Sequence, residues 1–384
     1  MNKIQKLWQT FFPKPAQPLP AGTYSYQAPP EAPVPYRMFL RIEKDGQGIM
    51  ILNASTVLHL NQTAAEYIYY LVQLKSESEI AQIISERYKV PVEEALKDYQ
   101  DLQERLNSLI NTPDLDPVTF LDFERMDPYS DTSAPYRLDC ALTYKLSGEE
   151  HQAAPEERVK RELLTQEWCT ILNKSWAAGI PHIVFTGGEP TLRNDLTELI
   201  RHAEKNGQVT GLLTDGLRLT DNNFRHALLE SGLDHVMIVL DVDSGQSWES
   251  VRDVLAEDIA LTVHITISPE NKDKILESLD TLSQMGILKV SLSISDQMLE
   301  ENLKKAREKV ADLNMALVWD LPVPYSAFNP VSLELRESLK LVDGSGKAWL
   351  YVEPDGDVLP AQGINKVIGN LLTESWENIW AKSQ

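Results

Sequence analysis

The residues best placed to do chemistry lie in "VFTGGEPTLRNDL", residues 184–196: an apolar run, paired Gly187 and Gly188, the carboxylate Glu189, then Pro190 leading into a polar helix start. Glycine lets backbone approach a ligand closely, and Glu189 would sit at the C-terminal end of a strand, where α/β folds bind ligands. The alternative is a tight strand-to-helix turn capped by Glu189. Asp215, Asp241 and Asp243 end neighbouring strand candidates, where they would hydrogen-bond a ribose or cap helix N-termini.

Such residues need a scaffold, and the chain supplies one. From Arg37 to Pro322, strand and helix patterns recur in two blocks. "RMFLRIE", "GIMILN" and "TVLHL" predict a small three-stranded sheet. Three helical segments follow: "NQTAAEYIYYLVQL", "SESEIAQIISERY" and "PVEEALKDYQDLQERLNSL", the last with Leu96, Tyr99, Leu102 and Leu106 along one face. Together they predict a compact α+β module over 37–110. Residues 111–136, with two Asp-Pro steps, read as a linker. Then "RLDCALTY", a helix from about Pro155 to Ala178, "HIVFTGG", a helix over 194–206 and "VTGLLTDG" begin a βα alternation that runs over 137–322. Consecutive apolar β-branched positions fit parallel strands covered on both faces, in a barrel or an open wound sheet. The tail, 323–384, carries a hairpin signal at Pro354-Asp355-Gly356-Asp357 and a Trp-rich helix.

Residues 1–36 form a proline-dense arm, read as extended because proline removes donors and stiffens the backbone. Lys and Arg number 36 against 57 Asp and Glu, a net charge of −21. So acidic a surface repels phosphate backbones and anionic lipid, which argues against nucleic-acid and membrane partners. The N-terminus lacks an apolar core long enough for a signal peptide, and no segment matches a membrane span, so the chain reads as cytoplasmic. Only two cysteines occur, Cys140 and Cys169, which excludes a disulfide framework.

The order of α+β module, βα repeats with Gly-Gly-Glu-Pro-Thr after the second strand, and a "PDGDVLP…GN" tail resembles the radical S-adenosylmethionine (SAM) peptide maturases. The resemblance implies a partial (β/α)6 TIM-like barrel, a winged-helix-like recognition element similar to the pyrroloquinoline-quinone peptide chaperone, and a C-terminal SPASM-like extension. It implies that a leader peptide adds as a strand beside "TVLHL" (Thr56, Val57, Leu58, His59, Leu60), in a cleft lined by the third helix with Leu96 and Tyr99. Gly187, Gly188, Glu189, Pro190, Asp215 and Asp241 would face SAM.

The same family holds a four-iron cluster through C-x3-C-x2-C after the first strand. That spacing falls here on Leu146, Glu150 and Ala153, and the tail position expected to be cysteine is Ala361. None is a thiolate, and iron–sulfur clusters are held by thiolates. Cys140 and Cys169 read as small buried hydrophobes. The expectation is a radical SAM-like protein of a ribosomal peptide (RiPP) modification system, without a 4Fe-4S cluster. It would bind a precursor leader peptide, dock a partner maturase, or do both. The competing expectation is an enzyme that binds SAM or another nucleotide and uses cluster-independent chemistry.

Overall fold

The computed structural model describes residues 16–29, 31–53, 56–112, 115, 117–121, 132–147, 159–318, 345–364 and 366–383. The chain divides into two compact units, residues 1–130 and 131–384.

The first unit carries four antiparallel strands, β1 (Gly22–Gln27), β2 (Arg37–Ile42), β3 (Gly48–Leu52) and β4 (Thr56–Leu60), in that spatial order. The expected sheet had three. The fourth, β1, comes from the arm: "GTYSYQ" lies free of proline between Pro20 and Pro29 and pairs in full with β2. Dense flanking prolines hid this strand in the sequence. Helices α1 (Gln62–Val72), α2 (Glu77–Tyr88), α3 (Val92–Asn111) and short α4 (Pro117–Leu121) follow. The first two start on side-chain caps, Asn61 to the Ala64 N–H and a Ser76/Glu79 capping box. Met38, Leu40, Met50, Leu58 and Leu60 of the sheet meet Ile68 of α1 and Leu106 and Leu109 of α3 in one core. Tyr67, Ile80, Ile84 and Tyr99 form a second, between the helices.

The second unit is built on parallel strands β5 (Arg137–Thr143), β6 (His182–Gly187), β7 (Val209–Thr214), β8 (His235–Val239), β9 (Ala260–Ile267), β10 (Lys289–Ile294) and two-residue β11 (Ala316–Leu317). They lie side by side in chain order, and the sheet does not close on itself: a partial barrel. Helices α5 (Thr165–Ala177), α6 (Leu196–Asn206), α7 (Asn222–Glu230), α8 (Gly245–Leu255), α9 (Ile275–Met285) and α10 (Glu300–Asp312) alternate with the strands. Alternate strand residues, among them Leu138, Cys140, Ile183 and Phe185, join Trp168, Leu199 and Leu279 of the helices in the main core. The opposite row carries Val184, Leu213 and Met237.

Beyond β5 the sheet continues with β12 (Trp349–Val352), parallel to β5, then β13 (Asp357–Leu359) and β14 (Gly369–Asn370), both antiparallel. The tail thus extends the barrel sheet, and α11 (Trp376–Ser383) donates its indole N–H groups from Trp376 and Trp380 to the carbonyls of Ser133 and Thr132. Among the described residues no helix is long and apolar enough to cross a membrane.

One helix start differs from expectation. Helix α5 begins at Thr165, and residues 159–164 before it are not helical, whereas Pro155 lies outside the described residues: Leu163 N–H is bonded to the Pro354 carbonyl, and Leu164 N–H to the Glu167 carboxylate. These bonds hold the chain extended until the first turn.

Candidate functional site

The ends of β5, β6 and β7 converge on the Gly-Gly-Glu turn. Gly187 has φ +120°, and a Cβ there would lie 2.1 Å from the Thr143 carbonyl oxygen; at Gly188 it would lie 2.2 Å from that of Lys145. In place of side chains there are two hydrogen bonds, Gly188 N–H to Thr143 O and Glu189 N–H to Lys145 O, both 2.7 Å. The glycines therefore exist to let β6 close on the residues after β5.

Glu189 is buried, and its side chain is fully engaged. One carboxylate oxygen accepts from the Thr191 N–H (2.9 Å), the Thr191 hydroxyl and the Thr214 hydroxyl (2.7 Å). The other accepts from the Asp215 N–H at 2.7 Å. Burial first, and the Asp215 carboxylate second, push its pKa up to about 8 against the pull of these donors. Of the two readings of this turn, the capping carboxylate is the one the contacts describe. Pro190 starts a single 3₁₀ turn behind it.

The other mouth carboxylates are likewise turn builders. Asp215 accepts from the Leu217 N–H at 2.9 Å, and Asp241 from the Asp243 N–H at 3.0 Å. The helices behind them are capped by Asp221 and Ser244. Asp241 is nevertheless exposed.

The cysteine slots do not fit an iron–sulfur cluster. Leu146 is half-buried and packs with Ala141, Tyr144, Tyr351 and Leu359, an apolar contact in place of a ligand. Ala361 is buried and has no donor atom. Glu150 and Ala153 lie outside the described residues. Cys140 points into the core from β5 and Cys169 from α5; burial pushes both thiols above their ordinary pKa, away from the thiolate a metal needs.

Two polar groupings inside the barrel carried no sequence signal. On β9, His264 is fully buried; Nδ1 pairs with the Ser291 hydroxyl (3.0 Å) and Nε2 with those of Thr266 and Ser293 (both 3.1 Å). At the start of β6 and β8, His182 Nε2 and His235 Nε2 are 2.7 Å apart, and Gly211 leaves room for the His235 ring. A period-two pattern places such residues on the inner row but cannot show which strand faces which. In the tail, oxygens of Glu353, Asp355 and Asp357 come within 4.8 Å of one another. Such oxygens suit a hard cation, not a cluster. The hairpin uses part of that capacity: Tyr144 donates to Glu353 (2.7 Å) and Asn370 to Asp357 (2.8 Å).

Besides β1, the sheet of the first unit has a second edge strand, β4. Its inner neighbour is β3, and among the described residues its outer side has none. Leu58 and Leu60 enter the core, while Thr56, Val57 and His59 are half-buried. Tyr99 is buried against Tyr67, with Leu96 beside it, in the core between the helices. The α3 residues buried in a core shared with β4 are Leu106 and Leu109, and Leu102 and Ile110 pack against it.

A radical SAM-type partial barrel accompanied by a peptide-chaperone-type module is the class these two units define. Residues 140–313 match the radical SAM superfamily and residues 48–109 match coenzyme PQQ synthesis protein D (PqqD), so the chain carries a radical SAM domain and a PqqD module. A PqqA peptide cyclase of Streptomyces rochei is 28% identical over 261 residues, 60% of this chain and 71% of that protein. The crystal structure of Streptococcus suis SuiB bound to precursor peptide SuiA aligns with a TM-score of 0.56 at 14% identity, covering 89% of this chain and 87% of that one. SuiB bound to S-adenosylmethionine gives 0.54 at 14% identity, covering 89% and 86%. At that identity the likeness is one of fold.

Proposed function

We propose that this chain is a peptide-binding member of a ribosomal peptide modification system whose barrel does not hold a 4Fe-4S cluster and serves as a scaffold for peptide or for a partner maturase. The carrying observation is the edge position of β4 in a PqqD-type module: among the described residues no strand pairs with its outer side. A strand added there pairs through its backbone, and the half-buried Val57 offers a side-chain contact. The crystal of SuiB with its precursor peptide supports peptide binding by a protein of this fold. With two cysteines in the whole sequence, three thiolates cannot converge, and no radical step is assigned to this chain.

Hydrogen exchange on the full chain, with and without synthetic peptides from any short reading frames that flank its gene, tests the reading. Saturable protection at residues 56–60 is expected. Protection confined to other segments refutes peptide addition at this edge. Anaerobic incubation with iron and sulfide is expected to leave the protein colourless; a stable four-iron chromophore that yields deoxyadenosine from SAM would overturn the scaffold reading.

SAM binding without cleavage has its own support in the exposed Asp241 at the barrel mouth and in the SAM complex of SuiB. Calorimetry decides it: saturable heat that Asp241→Ala removes keeps this second reading, and no heat at millimolar SAM ends it.

A further inference from the structure

The described part of the proline-dense arm before β1 does not trail from the module. Residues 16–20, "AQPLP", precede β1 and lie outside its ladder with β2, yet they are held by side chains from two helices. Gln62 Nε2 of α1 donates to the Ala16 carbonyl at 3.0 Å, and Arg87 Nη2 of α2 donates to the Gln17 carbonyl at 2.8 Å. Pro18 rests against Gly46 of the β2–β3 turn, where an added Cβ would come within 2.7 Å of the proline ring. Leu19 packs on the sheet core.

The two donors are held together by one buried carboxylate. Glu66 is 1% exposed and gathers both. Its carboxylate accepts from Arg87 Nε at 2.6 Å, Arg87 Nη2 at 2.7 Å, Tyr88 Oη at 3.0 Å and Gln62 Nε2 at 3.2 Å. Each amino group thus gives one hydrogen to Glu66 and directs the other outward to a main-chain carbonyl. Reading carbonyls ignores side-chain identity, and proline fixes the extended backbone that presents them in succession. Gln17, Pro18 and Pro20 are exposed and Leu19 is half-buried, so specificity rests on the apolar residue, with Pro18 contributing through its seat on Gly46.

We infer that Gly46, Gln62, Glu66 and Arg87 form a second peptide-binding face, separate from the β4 edge, that takes an extended segment of Pro followed by an apolar residue, and that residues 16–20 occupy it in cis. The pairing of β1 with β2 anchors this occupant at a high effective concentration, so a segment in trans must displace it.

The test uses a fluorescein-labelled peptide of residues 16–22. A chain lacking residues 1–20 should bind it saturably, and the full chain about tenfold or more weakly, because its own segment competes. Arg87→Met in the shortened chain should weaken binding about tenfold, the loss of a charge-assisted hydrogen bond. Leu19→Asp in the peptide should abolish binding, and Gln17→Ser should leave it unchanged. No saturable binding by a folded shortened chain, or binding indifferent to Arg87→Met, overturns the inference. If the shortened chain does not fold, the methyl resonances of Leu19 in the full chain decide. Arg87→Met should then move them toward random-coil positions when free peptide is absent, and excess free peptide should do the same in wild type by displacing the segment. Absence of either effect counts against the site.

Discussion

Gly187 and Glu189 make one joint, and each has a predictable cost of replacement. Alanine at Gly187 meets a carbonyl oxygen at 2.1 Å with φ at +120°, so strand β6 must withdraw from β5. Gly187→Ala is expected to lose more than about 2 kcal/mol in urea unfolding. Glu189→Gln keeps the shape of the acid, which is largely protonated in the folded chain at pH 6, but adds a second donor hydrogen facing existing donors, so it should cost about 1–3 kcal/mol at that pH. The two glycines and the carboxylate were legible because a Gly-Gly-Glu run after an apolar strand has few structural uses. Their purpose was not, because it depends on Thr143 and Lys145, more than forty residues earlier. His264 shows the same limit: its three hydroxyl partners lie on its own strand and on β10.

At the scale of elements, β4 does two jobs with two rows of residues. Leu58 is 2% exposed within the sheet core, whereas Val57 is half-buried on the other row. Leu58→Ala should therefore destabilise the module by about 2–5 kcal/mol in thermal or urea unfolding. Val57→Asp should leave melting nearly unchanged and weaken peptide binding about tenfold, by placing a charge where an incoming strand packs. A common effect of both on stability and binding would mean that the two rows are not distinct. Strands β2–β4 could be read from alternation and Asp-Gly or Asn turns, and α1–α3 from caps and periodicity. Strand β1 escaped because six suitable residues sat among prolines. The start of α5 escaped because its determinant, the Leu163 bond to Pro354, joins residues nearly two hundred positions apart.

For the whole molecule, buried titratable groups set opposing limbs of a pH profile. His264 and His235 are buried neutral, with pKa values brought down to about 3 and about 4, mainly by desolvation; His182, facing His235 and Arg137, is also lowered. Their native pKa lies below the unfolded value near 6.5, so the unfolded chain takes up protons first as pH falls. Stability from these groups is present above about pH 6.5 and drains away toward pH 4, by an order of several kcal/mol. Glu189 acts in the other sense: raised to about 8, it favours the folded state fully below about pH 4.5 and loses that contribution as pH climbs to about 8. The net charge of −21 adds self-repulsion at neutral and alkaline pH, which salt should screen. Urea midpoints are therefore expected to pass through a maximum near pH 6–7. His264→Gln should flatten the acid limb and Glu189→Gln the alkaline one, measured at fixed ionic strength to keep the general charge effect constant. A profile whose acid limb survives His264→Gln unchanged would assign that limb to the His182–His235 pair, which His235→Gln then tests.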